Sequence, residues 1–186
     1  MPRMGLDAER VVDAAAAIAD ADGLEAVTLA RVAGELGVRA PSLYNHVDGH
    51  PGLLRAVAVR ALRELTAVLR DAAVGRAGNE ALAATARAYR DYARDHPGRY
   101  AASVAAPTSD DSEHRAAAKE TFEVVAAVLR SWDLSGDEAI HAARTFRSAV
   151  HGFVGLEAAG GFGIPLDLDD SFEHLVATLA AGLTGR

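Results

Sequence analysis

A single glycine, Gly37, separates two short segments in which apolar residues recur at helical spacing. The first segment begins at Thr28, whose hydroxyl can accept a hydrogen bond from a free amide at the start of a helix over 29–36. The second holds Pro41, which suits the first turn of a helix because no N–H is needed there. Glycine supplies the left-handed backbone that a sharp turn requires. Residues 28–46 are therefore predicted to form a helix-turn-helix with seven core residues: Leu29, Val32, Ala33, Leu36, Val38, Leu43 and Val47.

The rest of the chain also carries helical patterns, and no stretch alternates as a half-buried strand does. A first helix is predicted over 7–22, ending at Gly23, and a long fourth helix begins at Pro51. Further helices are predicted over 79–95, 97–105, 111–131, 136–158 and 168–184, with glycine and proline between them. The sequence thus predicts an all-α protein of eight to nine helices. An N-terminal three-helix helix-turn-helix domain would span 1–50, and a C-terminal helical bundle would span 51–186.

The amino-acid composition indicates the cellular compartment of the chain and the kinds of site that it can contain. Its 186 residues include no cysteine, which excludes disulfides and thiolate metal sites and suits a reducing compartment. The opening residues, MPRMGLDAER, are too polar for a signal peptide, and no apolar run reaches the roughly 20 residues that a membrane helix requires. We therefore expect a cytoplasmic protein without a membrane helix, a metal or a cofactor.

Charge is distributed unevenly along the chain. The formal net charge is −7, which by itself disfavours a polyanionic partner such as DNA. The segment 28–55, however, holds Arg31, Arg39 and Arg55 against only two acids, Glu35 and Asp48. This segment is weakly basic, so modest non-specific DNA affinity is expected from one copy.

The same segment matches a longer pattern. The string T-x-x-x-[V/I]-A-x-x-x-G-V-x-x-x-x-L-Y-x-H-[F/V], followed by a turn and L-L, resembles the helix-turn-helix of the tetracycline-repressor (TetR) family of transcription factors. The resemblance covers residues 7–60 and implies a homodimeric repressor that binds a palindromic DNA operator and is released by a small ligand. His50 departs from the family, which often has lysine there, so a titratable charge replaces a fixed one. The matching residues are Thr28, Val32, Ala33, Gly37, Val38, Leu43, Tyr44, His46, Val47, Leu53 and Leu54.

Nine residues are candidate DNA contacts, and they sort by what their side chains can reach. Arg39 can form a bidentate contact with guanine O6 and N7, while the small side chains of Ala40 and Pro41 can approach a thymine methyl group. Asn45 can read adenine. Phosphate contacts are expected from the other five residues: Ser42, Tyr44 and His46, with Thr28 and His50 at the flanking helix starts.

Simpler roles stay open for several of these side chains. Tyr44 and His46 could pack against the first helix. Arg39 could be a solvated charge without a base partner, and Asn45 could reach only the DNA backbone. Arg3 could enter a minor groove from an N-terminal arm, or that arm could be disordered.

The C-terminal part carries a second, shorter resemblance. The string H-G-F-x-x-L-E, here His151, Gly152, Phe153, Leu156 and Glu157, is similar to the ligand and dimer domain of a TetR subgroup marked by Trp, His and Gly. This resemblance favours a four-helix interface in which helices 136–158 and 168–184 join those of a second copy. Both helices could instead bury their apolar stripes within one chain: Ile140, Ala143, Phe146, Val150, Phe153 and Val154 on the first, and Phe172, Leu175, Val176, Leu179 and Leu183 on the second.

Eight residues are candidate contacts for an effector in an apolar cavity. Six of them are aromatic, and the other two are polar side chains that could anchor the effector. Glu157 is a third possible polar anchor. Each aromatic side chain could equally be plain core, and the histidine could be a hydrogen-bonded packing residue. The eight are Tyr89, Tyr92, Tyr100, Phe122, Phe146 and Phe153, with Arg147 and His151 as the anchors.

Two other classes of function compete with a DNA-binding regulator. An enzyme is disfavoured because the chain holds no phosphate loop, no G-x-S-x-G and no H-E-x-x-H, and no strand pattern precedes a glycine cluster. Glu138 and His141 are three residues apart but lack obvious partners for a metal site. The second alternative is an all-α interaction protein whose helix-turn-helix does not bind DNA. The weak positive charge of segment 28–55 and the histidine at position 50 are compatible with this alternative.

Overall fold

The computed structural model describes residues 6–184, and its regular structure is helical throughout. No strand occurs within these residues, which confirms the all-α prediction. Three short 3-10 helices lie at Leu24–Ala26, Ala40–Asn45 and Arg130–Trp132. The α-helices are α1 (Ala8–Asp22), α2 (Leu29–Glu35), α3 (Gly49–Ala73), α4 (Gly78–Asp95), α5 (Pro97–Val104), α6 (Ser112–Leu129), α7 (Gly136–Ala158) and α8 (Leu168–Thr184).

The first two α-helices begin where their capping residues place them. The Asp7 carboxylate accepts a hydrogen bond from the Arg10 amide at 2.8 Å and caps α1. The Thr28 hydroxyl accepts one from the Arg31 amide at 3.2 Å, which confirms it as the cap of α2. Gly37 has a φ of 65°, the left-handed conformation predicted for the turn that follows.

The helix after this turn is a 3-10 helix. The Ser42 amide donates to the Arg39 carbonyl at 2.9 Å, and the His46 amide donates to the Leu43 carbonyl at 2.9 Å. Both bonds span three residues, as 3-10 winding requires. We call this helix, Ala40–Asn45, the reading helix.

The described chain divides by its internal contacts into two compact units. The first combines the residues up to 63 with 96–118, and the second combines 64–95 with the residues from 119 onwards. Residues of α3 and α6 contribute to both units. The functional division at residue 50 concerns DNA and ligand binding and remains a prediction.

The core of the first unit lies among α1, α2, the reading helix and the start of α3. Val32 and Leu43 are completely buried there. All seven residues of the predicted helix-turn-helix core belong to this cluster, four of them buried and three partly buried: Val32, Ala33, Leu43 and Val47, then Leu29, Leu36 and Val38. The periodicity therefore identified the inward face correctly.

In the same unit, α5 packs closely against the end of α1. A Cβ atom on Gly98 would lie 2.0 Å from the carbonyl carbon of Ala19, so glycine is needed for this approach. The Asp20 carboxylate then accepts two hydrogen bonds from Arg99, one from its amide at 2.8 Å and one from its Nε at 2.6 Å. These contacts fix the place of α5 within the first unit.

In the second unit, α4, α7 and α8 pack against one another. Most residues of the two apolar stripes are buried within this one chain, as the alternative to a second copy expected: Ala143, Phe146, Val150, Phe153 and Val154 on α7, with Phe172 and Val176 on α8. A four-helix interface of α7 and α8 with a second copy remains a prediction. The exposed positions of the two helices include several small residues: Thr145, Ser148, Gly152 and Gly155 on α7, and Ala177, Thr178, Ala181 and Gly182 on α8. Larger side chains are exposed on α7 as well, among them Ile140 and Leu156. Among residues 6–184, no helix has the length and hydropathy needed to cross a membrane.

Candidate nucleic-acid interface

The reading helix is held by its apolar residues, which turn its polar ones outward. Leu43 is completely buried and Val47 is 8% exposed, four residues further on. The Val38 amide donates to the Ala33 carbonyl at 2.9 Å and closes the turn from α2. Since these anchors face the core, Tyr44 and its neighbours face solvent.

The nine candidate DNA contacts all belong to the first unit, and none of them is fully buried. Tyr44 is 62% exposed, which excludes the simpler role of packing against α1. His46 is only half-buried, and the same holds for Ala40 and Ser42. The other exposed members are Thr28, Arg39, Pro41, Asn45 and His50. Arg3, the candidate minor-groove residue, lies outside the described residues.

His50 is less available for a phosphate than the sequence suggested. Its Nε2 lies 2.7 Å from the carbonyl oxygen of Val27. A carbonyl oxygen only accepts hydrogen bonds, so Nε2 carries the hydrogen and donates it. The other ring nitrogen, Nδ1, is then an acceptor in the neutral ring and can donate to a phosphate only when the ring is protonated.

The positive charge of this surface is smaller than the sequence count implied. Arg31 forms an ion pair with Asp22. Arg55 donates from its Nη2 to Asp111 at 2.8 Å and to Glu113 at 3.1 Å. Through its hydrogen bond, the Arg55 guanidinium lowers the pKa of Asp111 to about 2. The charge of Arg55 is therefore balanced by carboxylates 56 and 58 positions along the chain.

Arg39 stands apart from these paired arginines. Its side chain is exposed, and it forms no ion pair or side-chain hydrogen bond with any of residues 6–184. Its five N–H donors are therefore open to a partner in solution. A guanidinium in this state matches the paired acceptors of guanine or a phosphate.

An acidic cleft bounds the surface on one side. It has a volume of about 620 Å³ and lies within the first unit, between the end of the reading helix and the segment before α6. Its lining includes His46, Asp48, Asp110 and Asp111. Arg55 also lines this cleft and is paired with Asp111, so Asp48 and Asp110 leave the lining acidic. These carboxylates repel phosphate, so the interior of the cleft is not expected to hold a DNA backbone.

None of the three cavities described for residues 6–184 is lined by more than one of the eight candidate effector residues, and their joint role as an effector site remains a prediction. Tyr100 belongs to the first unit and the other seven to the second. Tyr92 is buried, and its hydroxyl donates to Glu64 Oε2 at 3.1 Å. Phe146 lines a cavity of about 120 Å³ among α4, α7 and α8, whose lining includes none of the other seven. The remaining six divide by exposure: Tyr89, Tyr100 and Phe153 are buried, His151 is half-buried, and Phe122 and Arg147 are exposed.

Sequence reasoning missed the most strongly held charge of the second unit, Arg90. This residue is 6% exposed, and its guanidinium donates to both Glu157 oxygens, at 2.9 and 2.6 Å. It also pairs with Asp169 at 2.8 Å, and its guanidinium lies over the rings of Phe153 and Phe172, at 5.3 and 4.8 Å from their centroids. These hydrogen bonds raise the pKa of Arg90 and lower that of Glu157.

The sequence did contain a signal for Arg90. It sits four residues after Ala86 and next to Tyr89, on the buried stripe of α4. A charged residue on an apolar stripe needs a buried partner, because an isolated charge is costly to desolvate. Glu157, already noted as a possible anchor, is therefore engaged within the chain.

Comparison with known proteins agrees with this architecture. A family model described as "Tetracyclin repressor-like, C-terminal domain" matches residues 82–179. The HTH-type transcriptional regulator Rv0681 of Mycobacterium tuberculosis is 41% identical over 182 residues, covering 97% of this chain and 83% of that protein. The HTH-type transcriptional regulator YobS of Bacillus subtilis is 35% identical over 182 residues, covering 98% and 95%. Both relatives carry the names of transcriptional regulators and not of enzymes.

A solved structure shows the same fold together with DNA. The crystal structure of BioQ with its double-stranded DNA operator has a TM-score of 0.72 to this chain at 27% identity, covering 98% of this chain and 100% of that one. The similarity extends over both compact units, and the family model covers more than half of the chain. This chain belongs to the TetR family of helix-turn-helix, DNA-binding transcriptional regulators.

Proposed function

We propose that the protein is a cytoplasmic homodimeric repressor that binds a palindromic operator and is released by a small-molecule effector. The observation that supports this most directly is the division of the reading helix into two faces. Leu43 is buried in the core, whereas Arg39, Tyr44 and Asn45 are exposed on one surface. Exposed polar side chains on a helix that is anchored by its opposite face suit entry into a major groove.

Within this surface we assign base contacts and phosphate contacts separately. Arg39 reads guanine, because its guanidinium has no partner within the described residues and offers two parallel donors. Ala40 and Pro41 approach a thymine methyl group, and Asn45 reads adenine. Phosphates are held by Tyr44, with the remaining polar side chains of the set: Thr28, Ser42, His46 and His50.

We place the dimer contact on the outer faces of α7 and α8. Their small exposed side chains allow the helices of two copies to approach closely, and four helices then form the interface. A shallow cavity between the two helices includes Thr145, Thr178 and Gly182 in its lining and can accept a side chain from the second copy. Two-fold symmetry would present two reading helices to successive major grooves about 34 Å apart.

Effector release requires unequal affinity of the effector for two arrangements of the dimer. In this proposal, the effector binds in the helical bundle of the second unit and favours the arrangement in which the two reading helices lose their groove spacing. BioQ, which resembles this chain throughout its length, was crystallised with its operator. That likeness supports DNA as the partner here.

One alternative has its own support in the structure. Arg55 is balanced by Asp111 and Glu113, and His50 is tied to Val27. Both features weaken attraction to phosphate, so an all-α interaction protein that does not bind DNA is the second candidate. The two candidates differ in their affinity for DNA and in the salt dependence of that affinity.

The test is a gel-shift titration of the purified full chain on DNA flanking its own gene, followed by footprinting. We expect a specific complex that protects two half-sites about one helical turn apart and weakens steeply between low and physiological salt. DNA of the same length with scrambled half-sites is the control. No binding at low salt would favour the interaction protein, and equal binding to both DNAs would contradict specific reading of the half-sites.

A further inference from the structure

An open cleft in the second unit has no role in the proposals above. It has a volume of about 330 Å³ and lies among the end of α3, the start of α4 and the end of α6. That volume falls at the lower end of the range for small-molecule sites, roughly 300–1,000 Å³. None of the eight candidate effector residues lines it. Its walls are small and apolar: Ala73, Ala77, Ala81, Val124, Ala127 and Val128.

Three charged side chains also line this cleft, and two of them are paired. Arg76 forms an ion pair with Glu80 at 3.3 Å, and Glu123 forms one with Lys119 at 3.4 Å. Arg70 is exposed, and it forms no ion pair or side-chain hydrogen bond with any residue in 6–184. The cleft therefore combines an apolar wall with one arginine that lacks an acidic partner.

A hydroxyl group completes the polar part of the lining. Ser131 Oγ accepts a hydrogen bond from the Gly78 amide at 3.0 Å, which leaves its own hydrogen free to donate. Two arginines and one glutamate give the lining a net charge of one positive unit. This balance suits a ligand with a single negative charge better than a phosphate dianion.

We propose that this cleft binds an amphipathic monocarboxylate, with its hydrocarbon chain against the alanine and valine walls and its carboxylate on Arg70. Arginine matches a planar carboxylate through two parallel N–H donors, and Ser131 adds a third donor. Burial of the chain supplies the apolar part of the affinity. Assignment of this ligand as the effector rests on the proposed function of the protein.

Sodium octanoate, kept below the concentration at which it forms micelles, is the probe. Trp132 is the only tryptophan of the chain and directly follows Ser131, so its fluorescence reports on the cleft. We expect saturable binding of one octanoate per chain, seen by fluorescence and by calorimetry on the full protein. Octanol and octylamine, which share the hydrocarbon chain, and octyl phosphate, which adds charge, are expected to bind more weakly.

Single substitutions test the role of Arg70 and the role of the apolar wall independently. Arg70→Gln is expected to weaken octanoate binding about tenfold without changing the weak binding of octanol. Ala127→Leu fills the cleft and is expected to abolish binding of both. Arg115→Gln changes an exposed arginine of α6 outside the cleft lining and is expected to leave octanoate affinity unchanged. Thermal unfolding of each variant shows whether it is folded.

The proposal is overturned if octanoate does not saturate, or if Arg70→Gln binds it as well as the wild type does. Operator binding is measured separately, without octanoate, so failure of the proposed function is visible independently of the cleft. Octanoate is then expected to weaken the operator complex of the wild type and not that of Arg70→Gln at the same concentration. Binding of octanoate with an unchanged operator complex would overturn its assignment as the effector.

Discussion

Two buried residues orient the side chains proposed to contact DNA. Leu43 and Val47 belong to the core of the first unit, so the residues between them, Tyr44 and Asn45, are exposed. Arg39 precedes the reading helix and is also exposed. Local sequence therefore decides which of these side chains can reach DNA, and mutations at this surface change affinity without opening the core.

At this scale we expect Arg39→Ala to reduce discrimination between the operator and scrambled DNA by about 1–3 kcal/mol. The reason is the loss of a bidentate base contact, while most phosphate contacts stay in place. Competition gel-shifts against both DNAs measure the ratio. Arg115→Ala removes another exposed arginine far along the chain and should leave that ratio unchanged. A similar loss there would show that overall charge is responsible.

The residue that departs from the family pattern gives a second prediction. His50→Lys should strengthen operator binding and steepen the dependence of log affinity on log salt by about one per subunit. A lysine carries a fixed charge, whereas His50 Nε2 is occupied by the Val27 carbonyl. His50→Gln, which can keep that hydrogen bond without charge, is the control. An unchanged salt slope in the lysine variant would remove position 50 from the interface.

At the scale of elements, the first unit depends on one close helix crossing. Gly98→Ala should lower the free energy of unfolding by about 2 kcal/mol, because a Cβ atom 2.0 Å from the Ala19 backbone forces α1 and α5 apart. Chemical denaturation measures the loss. Gly34→Ala places its Cβ where nothing lies within 4 Å, in the last turn of α2, and should stabilise slightly. Equal stability of Gly98→Ala and the wild type would contradict this crossing.

The start of α6 is expected to respond to acid. The pKa of Asp111 is lowered from 3.8 to about 2, chiefly by its hydrogen bond with Arg55. A lowered folded-state pKa means that the contribution to stability is present above about pH 4 and is lost as the pH falls toward 2. Asp111→Asn lacks this contribution, so the stability difference from the wild type should be constant above pH 4 and shrink below it. A difference that does not change between pH 5 and 2.5 would contradict the ion pair.

At the scale of the whole molecule, the proposed function requires two copies to pair. Ala181→Arg, at an exposed position of α8, should produce a folded monomer with greatly weakened operator affinity, because a long charged side chain would keep apart the small-residue faces that we propose as the interface. Sedimentation analysis gives the oligomeric state. Ala116→Arg, on an exposed position of α6, is the control. A variant that stays dimeric would place the interface elsewhere.

Much of the fold was determined by the sequence alone. Helices follow from apolar spacing, caps and glycine, which act over a few residues, so the all-α class and the helix-turn-helix core were predictable. The same spacing favours outward positions for Arg39, Tyr44 and Asn45, but packing of Tyr44 against the first helix was excluded only by its exposure in the folded chain. The 3-10 winding of the reading helix was not predicted, because hydrogen bonds over three or four residues leave nearly the same apolar pattern.

Only the tertiary structure decided which charged side chains and which helix faces remain exposed to a binding partner. Arg55 is balanced by Asp111, and Arg90 by Glu157, 67 positions away. The apolar stripes of α7 and α8 face α4 and each other within one chain. Such pairings depend on how helices pack, and a periodic pattern shows that a face is buried without showing what covers it. Sequence therefore fixed the inventory of helical faces, and packing decided which of them stay open to DNA, to a ligand and to a second copy.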